Sequence, residues 1–529
     1  MTSPPVAMYP IEKTGDEFSV SFRTDEEGIE SVIIKPAGAR ASDSRTDSIE
    51  TSSGSLKEKM PKKQETVCSF LLESQLPLIL AGFGLVGTGL YLDYVSKSTL
   101  FSAIPVAFSL TTPLLDLKGN LEMNFASRLA TCTHTGAMKT RKDLWGLVRA
   151  NAGLSQSHTI TVSLAIAALC ILIDFSMGGW PIVILLATAV STASISSLFI
   201  DFCLVMVILI ATRFKFNPDN VSIPLASSIG DLSTLFFFAS IGWLQLFCYS
   251  NKCSFISLVT LTIFLATLPF WFWLASSHSS TRSALYTGWV TLIMSAIISG
   301  GGGYVLQKVH SRYDGYTILQ PLLVGLVGNR CAIQASRLAS NLHVSDLQMG
   351  KAPKGSLCKS FNPLTTFCGK DIHSKVALTM IFAAMPTQLF FAVIVLAIGG
   401  YQHMINAPFC ISYLLASLFL LIVFMFFCQV IVGELCALCY VTSPNLLFFD
   451  VCWRLGLDPD YNAIPLLTSL SDLLGSLLLL LVFVSLDKYS PNSIARIMPV
   501  ADVNSTTPTY ALLQELNELS TYSKNPVLL

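Results

Sequence analysis

Two stretches decide the fold, because each occurs twice. GNLEMNFASRLA runs from Gly119 to Ala130 and returns as GNRCAIQASRLA from Gly328 to Ala339. NPDNVSIPLASSIGDL runs from Asn217 to Leu232 and returns as DPDYNAIPLLTSLSDL from Asp458 to Leu473. Within the second pair, Asp219, Pro224 and Asp231 are spaced as Asp460, Pro465 and Asp472 are. Each copy lies in or beside a long apolar run. The chain therefore repeats a membrane unit, with an acid repeated inside it, and this points to a transport site on a pseudo-symmetry axis.

Composition agrees with that reading. The 529 residues are 52% hydrophobic and 12% charged, with mean hydropathy +0.61, whereas a soluble domain carries about a quarter charged residues. The fold expected is an all-α polytopic membrane protein. Residues 1–68 are polar and poor in aromatics, which predicts an unstructured cytoplasmic tail. A long polar segment precedes the first apolar run, so no cleavable signal is expected. Most of the fourteen cysteines sit in apolar runs and read as small hydrophobes. Cys436 and Cys439 form a lone CxxC that reads as packing, while Cys248 and Cys253 flank a short loop that a disulfide could close.

Eleven apolar runs approach the roughly 20 residues a bilayer requires; the third, Ile160–Phe175, is short and polar motifs interrupt the second and eighth, so ten is the alternative count. Five precede Phe255–Leu274 and five follow it. Two five-span units joined directly would point in opposite directions, and one extra span makes them parallel. The organisation predicted is 69–248 for the first repeat, 249–280 for a linker helix, 281–487 for the second repeat and 488–529 for an extracellular C-terminal tail. Lys57, Lys59, Lys62 and Lys63 before the first span place the N-terminus in the cytoplasm by the excess of basic residues on that side. Asn504-Ser505-Thr506 in the tail is a glycosylation sequon usable on the outer side. The plasma membrane is the expected location.

Asp231 and Asp472 each lie about ten residues, or about 15 Å, into a span, near the midplane. A charge there costs at least a few kcal/mol unless it is paired or hydrated. One such Asp is as readily a buried, hydrogen-bonded packing residue. Two at symmetric positions favour a cation site whose −2 matches one divalent ion. The repeated donors are oxygens: Asp231, Asp472, Asn120, Asn329, with Ser227 and Thr468 in the pore-lining set. Oxygen-only ligation suits Mg2+, Ca2+ or Mn2+ over Zn2+, and few charges per ion is the habit of hydrated Mg2+. Gly119-Asn120 and Gly328-Asn329 read either as interruptions of two spans, marking a substrate path, or as helix kinks. Asp219 and Asp460 read either as N-caps or as a cytoplasmic vestibule. Glu122, a further pore-lining candidate, has Cys331 as its counterpart, so its role is one-sided. Asp174, Asp201 and Glu434 are unmatched acids. No cofactor, nucleic acid or partner chain is implied; the partners expected are the lipid bilayer and the ion itself, with a monomer sufficient for the pore. An intramembrane enzyme with the two aspartates as a dyad is the rival from another class, and no nucleophile motif or GxGD-type signature accompanies them.

On these motifs the chain resembles the solute carrier family 41 magnesium transporters, eukaryotic relatives of the bacterial MgtE-type transporters. The residues that carry the likeness are Leu117–Leu129, Asn217–Leu232, Val327–Arg337 and Leu457–Gly475. The resemblance implies Mg2+ transport coupled to Na+ exchange, with an uncoupled channel as the alternative. It also implies that two MgtE-like units, paired as a homodimer in MgtE-type proteins, lie here in one chain. It sets the central aspartate of that family on Asp231 and Asp472, and its pore asparagine on Asn120 and Asn329. Tyr461, opposite Asn220, and Asp116, where relatives often carry Gly, depart from the pattern. No magnesium-sensing cytoplasmic domain of the MgtE kind is implied.

Overall fold

The computed structural model describes residues 18–25, 28–36, 67–134, 141–173, 179–213, 218–344, 367–369, 372–441 and 459–496. It divides into two compact units, Met1–Gln64 and Glu65–Leu529.

The first unit departs from expectation. β1 (Phe18–Asp25) and β2 (Gly28–Pro36) form an antiparallel hairpin. Its signal is a short alternation, Phe18, Val20 and Phe22 against Ser19 and Ser21, whose register sets Val20 opposite Ile34 and Phe22 opposite Val32. Alternation with period two places those apolar residues on one face. In a tail of polar composition this brief pattern is diluted.

The second unit is helical. Its elements are α1 (Val67–Ser96), α2 (Thr99–Ala103), α3 (Val106–His134), α4 (Arg141–Ile173), α5 (Trp180–Arg213), α6 (Pro218–Ser250), α7 (Phe255–Ala266), α8 (Leu268–Ser276), α9 (Ser279–Thr287), α10 (Trp289–His310), α11 (Tyr316–Val344), α12 (Ile372–Ile398), α13 (Ala407–Val441) and α14 (Pro459–Tyr489). Among the described residues, nine stretches are long and apolar enough to cross a membrane, with α7 and α8 together supplying one of them. α3 and α11 have 29 residues each but carry the charged GN motifs, which lowers their hydropathy. The fourth helix also begins earlier than the Ile160–Phe175 run suggests, its apolar stretch being Leu144–Ile173. Polar residues had masked it: Gln156 donates to the Ser194 carbonyl at 3.1 Å, and Ser155 pairs with Ser197 at 2.8 Å. They are hidden between α4 and α5.

Both GN motifs run through unbroken helix. The interruptions expected at Gly119-Asn120 and Gly328-Asn329 are therefore absent; the Asn120 amide donates to side chains and caps no helix end. Cys248 and Cys253 are free thiols, so the disulfide that could close their loop is not formed. The turn between them is closed by the backbone, with Cys253 N bonded to Cys248 O, Lys252 N to Tyr249 O, and Lys252 at φ 64°, a Schellman ending. The C-terminal sequon and Asp174 lie outside the described residues, as do the side chains of Cys436, Cys439 and Glu434.

The helix contacts repeat. α1 packs on α6, and α10 packs on α14. α3 meets α4, α5 and α6, while α11 meets α12, α13 and α14. The first helix of each set also packs on the second helix of the other set: α1 on α11 and α10 on α3. The α7–α8 pair lies on α5 and α4, and only 6% of its apolar stretch is buried inside the protein.

The crossed contacts are close enough to require glycine. A Cβ on Gly89 of α1 would collide with the Ile318 carbonyl oxygen of α11. One on Gly303 of α10 would collide with the Ser109 carbonyl oxygen of α3. Within each set, Gly87 of α1 faces Leu232 of α6 with room for a Cβ, and Gly301 of α10 faces Leu473 of α14 more tightly. Near one end of these helices, Thr317 and Tyr401 donate to Asp93 at 2.7 and 3.1 Å, tying α11 and the loop after α12 to α1. Burial, and after it the charges of Asp93 and Asp314, hold the Tyr401 hydroxyl above the usual tyrosine range.

Replacing Gly303 or Gly89 by Ala is expected to lower stability by about 1–3 kcal/mol, read as a lower thermal midpoint in detergent. Gly146→Ala, with nothing within 4 Å of the new methyl, should leave it unchanged or raise it.

Candidate cation chamber

A buried chamber opens where α3, α6, α11 and α14 meet. It is lined by Thr112, Leu115, Asp116, Gly119, Asn120, Met123, Asp231, Gln320, Pro321, Val324, Gly325, Gly328, Asn329, Thr468 and Asp472. Its volume is about 80 Å³, and one water needs about 10–15 Å³, so it admits several waters or a partly hydrated ion. Asp231, Asp472, Asn120, Asn329 and Thr468, read from the sequence as candidates, all line it. The side chains of Asp219, Ser227 and Asp460 lie outside the described residues.

Each helix delivers its polar residue for a local reason. Thr468 sits one turn beyond Ile464 and Pro465 in α14, and its hydroxyl also lies within bonding distance of both their carbonyls. It donates to Asn120 Oδ1 at 2.9 Å, linking residues 348 positions apart in the chain. Asn120 donates in turn to Asp116 Oδ1 and to Ser295 Oγ, both at 3.1 Å. Ser295 donates to Asp116 Oδ2 at 2.7 Å. One turn further along α10, Ser299 donates to Asp472 Oδ2 at 3.1 Å.

Asp116, Ser295 and Ser299 are functional candidates that the motifs did not reveal as a group. The serines sit on α10, whose likeness to α1 is confined to the short glycine pattern, and two residues of that type carry no signal alone. The repeat also makes the arrangement lopsided. Relative to the paired asparagines, Asp116 corresponds to Gly325; relative to the paired glycines, Ser295 corresponds to Ala81 and Ser299 to Leu85. The hydrogen bonds are thus concentrated where α3, α10 and α14 meet.

Glu122 is not among the chamber's lining residues. Its carboxylate pairs with Lys118 at 3.2 Å, both side chains being 0–1% exposed. It also lies against Gly230, where a Cβ would overlap it. Asp201 on α5 is buried too. The equivalents of Lys118 and Glu122 in the other set are Val327 and Cys331, both fully buried, with the Cys428 thiol 3.6 Å from the Cys331 carbonyl oxygen.

Among the described residues, no three His, Cys, Asp or Glu side chains converge as a direct cage for a metal ion. The lining oxygens are three carboxyl groups, three side-chain amides and hydroxyls. That set suits a hard cation held partly through water, and an apolar solute would leave those groups unpaired.

Comparison with known proteins follows the same course. A family model described as a divalent cation transporter, MgtE, matches residues 111–241 and 320–482. Solute carrier family 41 member 2 of Xenopus laevis is 33% identical over 432 residues, covering 80% of this chain and 73% of that protein. The human member 2 is 32% identical over 435 residues, covering 80% and 71%. Solute carrier family 41 member 3 of Rattus norvegicus is 31% identical over 426 residues, covering 79% and 88%. No solved structure matches the chain.

Convergence of the two sets can be checked chemically. In a background cleared of other cysteines, Asn120→Cys with Thr468→Cys should be bridged by a short thiol-reactive linker within one chain. After proteolysis between the two positions, the fragments should stay joined until the bridge is reduced.

Proposed function

Because the chain belongs to the solute carrier family 41 of MgtE-type divalent cation transporters, we propose that it carries Mg2+ across a membrane through the chamber between two five-helix repeats. The observation that supports this most is the meeting of Asp231 and Asp472, from equivalent positions of α6 and α14, in one cavity. Carboxylates on two helices compensate one divalent ion at a depth where neither is affordable alone. Asn120, Asn329 and Thr468 supply neutral oxygens, and the remaining ligands are water, in keeping with Mg2+'s reluctance to dehydrate.

On this reading the repeats are 69–248 and 281–487, the helix between them makes them parallel, and one chain completes the pore. The N-terminus is cytoplasmic, the C-terminus extracellular and the plasma membrane the site of action. The mechanism is exchange of Mg2+ for Na+, with Asp219 and Asp460 collecting ions at the cytoplasmic mouth. Contacts that repeat between the two helix sets give such a carrier two similar halves that can rock about a fixed site.

Asp231→Asn and Asp472→Asn should each abolish Mg2+ flux into liposomes while the protein still inserts and unfolds at a near-normal temperature; flux close to wild type in both would exclude this site. Efflux of Mg2+ against its gradient should stop when Na+ is removed from the receiving side. Efflux that continues down the gradient regardless of Na+ would instead identify an uncoupled channel.

A further inference from the structure

The chamber holds a carboxylate that symmetry does not require. Asp116 is 9% exposed and stands one helical turn before Asn120 on the same face of α3, as residues four apart do. Its two oxygens are held separately, Oδ1 by Asn120 at 3.1 Å and Oδ2 by Ser295 at 2.7 Å. Ser295 is itself 1% exposed, so the clamp is buried and its geometry fixed. Asp116 lines the same space as Asp231 and Asp472.

The other half acts as an internal control. Gly325 and Ala81 stand where Asp116 and Ser295 stand, and α11 packs there without a carboxyl group. A Cβ at Gly325 would strike the Leu85 side chain, so that side is closed by an apolar contact. The fold is thus built at this position without an acid, and a buried acid near the middle of a membrane carries a cost. Packing does not account for Asp116.

On the transport reading above, we propose that Asp116 is a specificity-determining residue of the chamber, a third carboxylate on one side that raises its preference for divalent over monovalent cations. Coulomb energy scales with the product of the charges. A carboxylate added at a fixed distance from the ion therefore stabilises a divalent ion twice as much, in free energy, as a monovalent one. Its effect on affinity for the divalent ion is the square of its effect on the monovalent ion. Ser295, holding one oxygen of Asp116, is a positioning residue.

The test uses the purified full-length chain. Mg2+ binding is measured by calorimetry, and Na+ binding by its competition with Mg2+, for wild type and for Asp116→Asn, Asp116→Gly and Asp116→Glu. If Asp116→Asn weakens Na+ by about tenfold, Mg2+ should weaken by about a hundredfold, and Asp116→Glu should recover most of the loss. Asp116→Gly, the residue found in the other half, should behave like Asp116→Asn. Unchanged Mg2+ affinity, or equal fold losses for the two ions, would overturn the proposal. If the Asp116 variants fail to fold, Ser295→Ala keeps the charge but frees one oxygen, and should shift the Mg2+ to Na+ ratio in the same direction by less; an unshifted ratio would overturn it as well. The transport reading fails separately, if wild type moves no Mg2+ in liposomes or if Asp231→Asn binds Mg2+ as wild type does.

Discussion

The close approach of α10 to α3, and of α1 to α11, is the constraint on which the rest of the membrane unit depends. Gly303 against the Ser109 carbonyl and Gly89 against the Ile318 carbonyl allow each pair of backbones to touch. Helices in lipid gain little from hydrophobic burial against one another, so small residues that permit tight packing decide which pairs form. Were the α10–α3 gap wider by one side chain, Ser295 could not reach Asp116 and Asn120. The crossing also interleaves the two sets: neither forms its half of the chamber without a helix of the other.

Within that frame, the apolar surroundings govern the polar groups. A buried polar group without a partner costs free energy, and the chamber answers this by chaining its groups together. Thr468 binds Asn120, Asn120 binds Asp116, and Ser295 binds Asp116. Each bond also joins different helices or different turns, so the position of the donors follows from the packing. Asp231 and Asp472 line the same cavity as this chain of bonds. A site of this kind is selective through the number of its charges and the water it leaves on the ion.

The two sets have diverged in ways that packing alone does not demand. Lys118 and Glu122 lie where Val327 and Cys331 fill the other half. Exchanging a buried ion pair for apolar residues of similar size is often neutral or stabilising, and the second half shows the apolar solution inside this same chain. Arg330 is one-sided in the opposite sense. It is 1% exposed, opposite Leu121 of the first set, and gives its donors to the Leu326 carbonyl and to Thr387 at 2.9 and 2.6 Å. Two halves with one backbone plan and different buried charges can respond unequally to an ion between them.

The sequence by itself determined the class of molecule and its family, and it singled out paired residues that line the chamber. Hydropathy is additive along the chain, so membrane helices are legible without knowing what they touch. A duplicated motif marks equivalent positions by spacing, which is how Asp231 and Asp472, and Asn120 and Asn329, stood out. Boundaries were legible only where apolar composition carried them. α4 was shortened because its buried polar face resembles a loop in hydropathy, and the hairpin of β1 and β2 was hidden in a polar tail. Only the tertiary structure decided that the helices run unbroken through Gly119-Asn120 and Gly328-Asn329. It also decided that Glu122 faces Lys118, and that Asp116, Ser295 and Ser299 belong with the chamber. Ser295 lies 179 positions from Asp116, and a contact of that range leaves no local pattern. It exists because two glycines let two helices meet, and that is a property of packed surfaces.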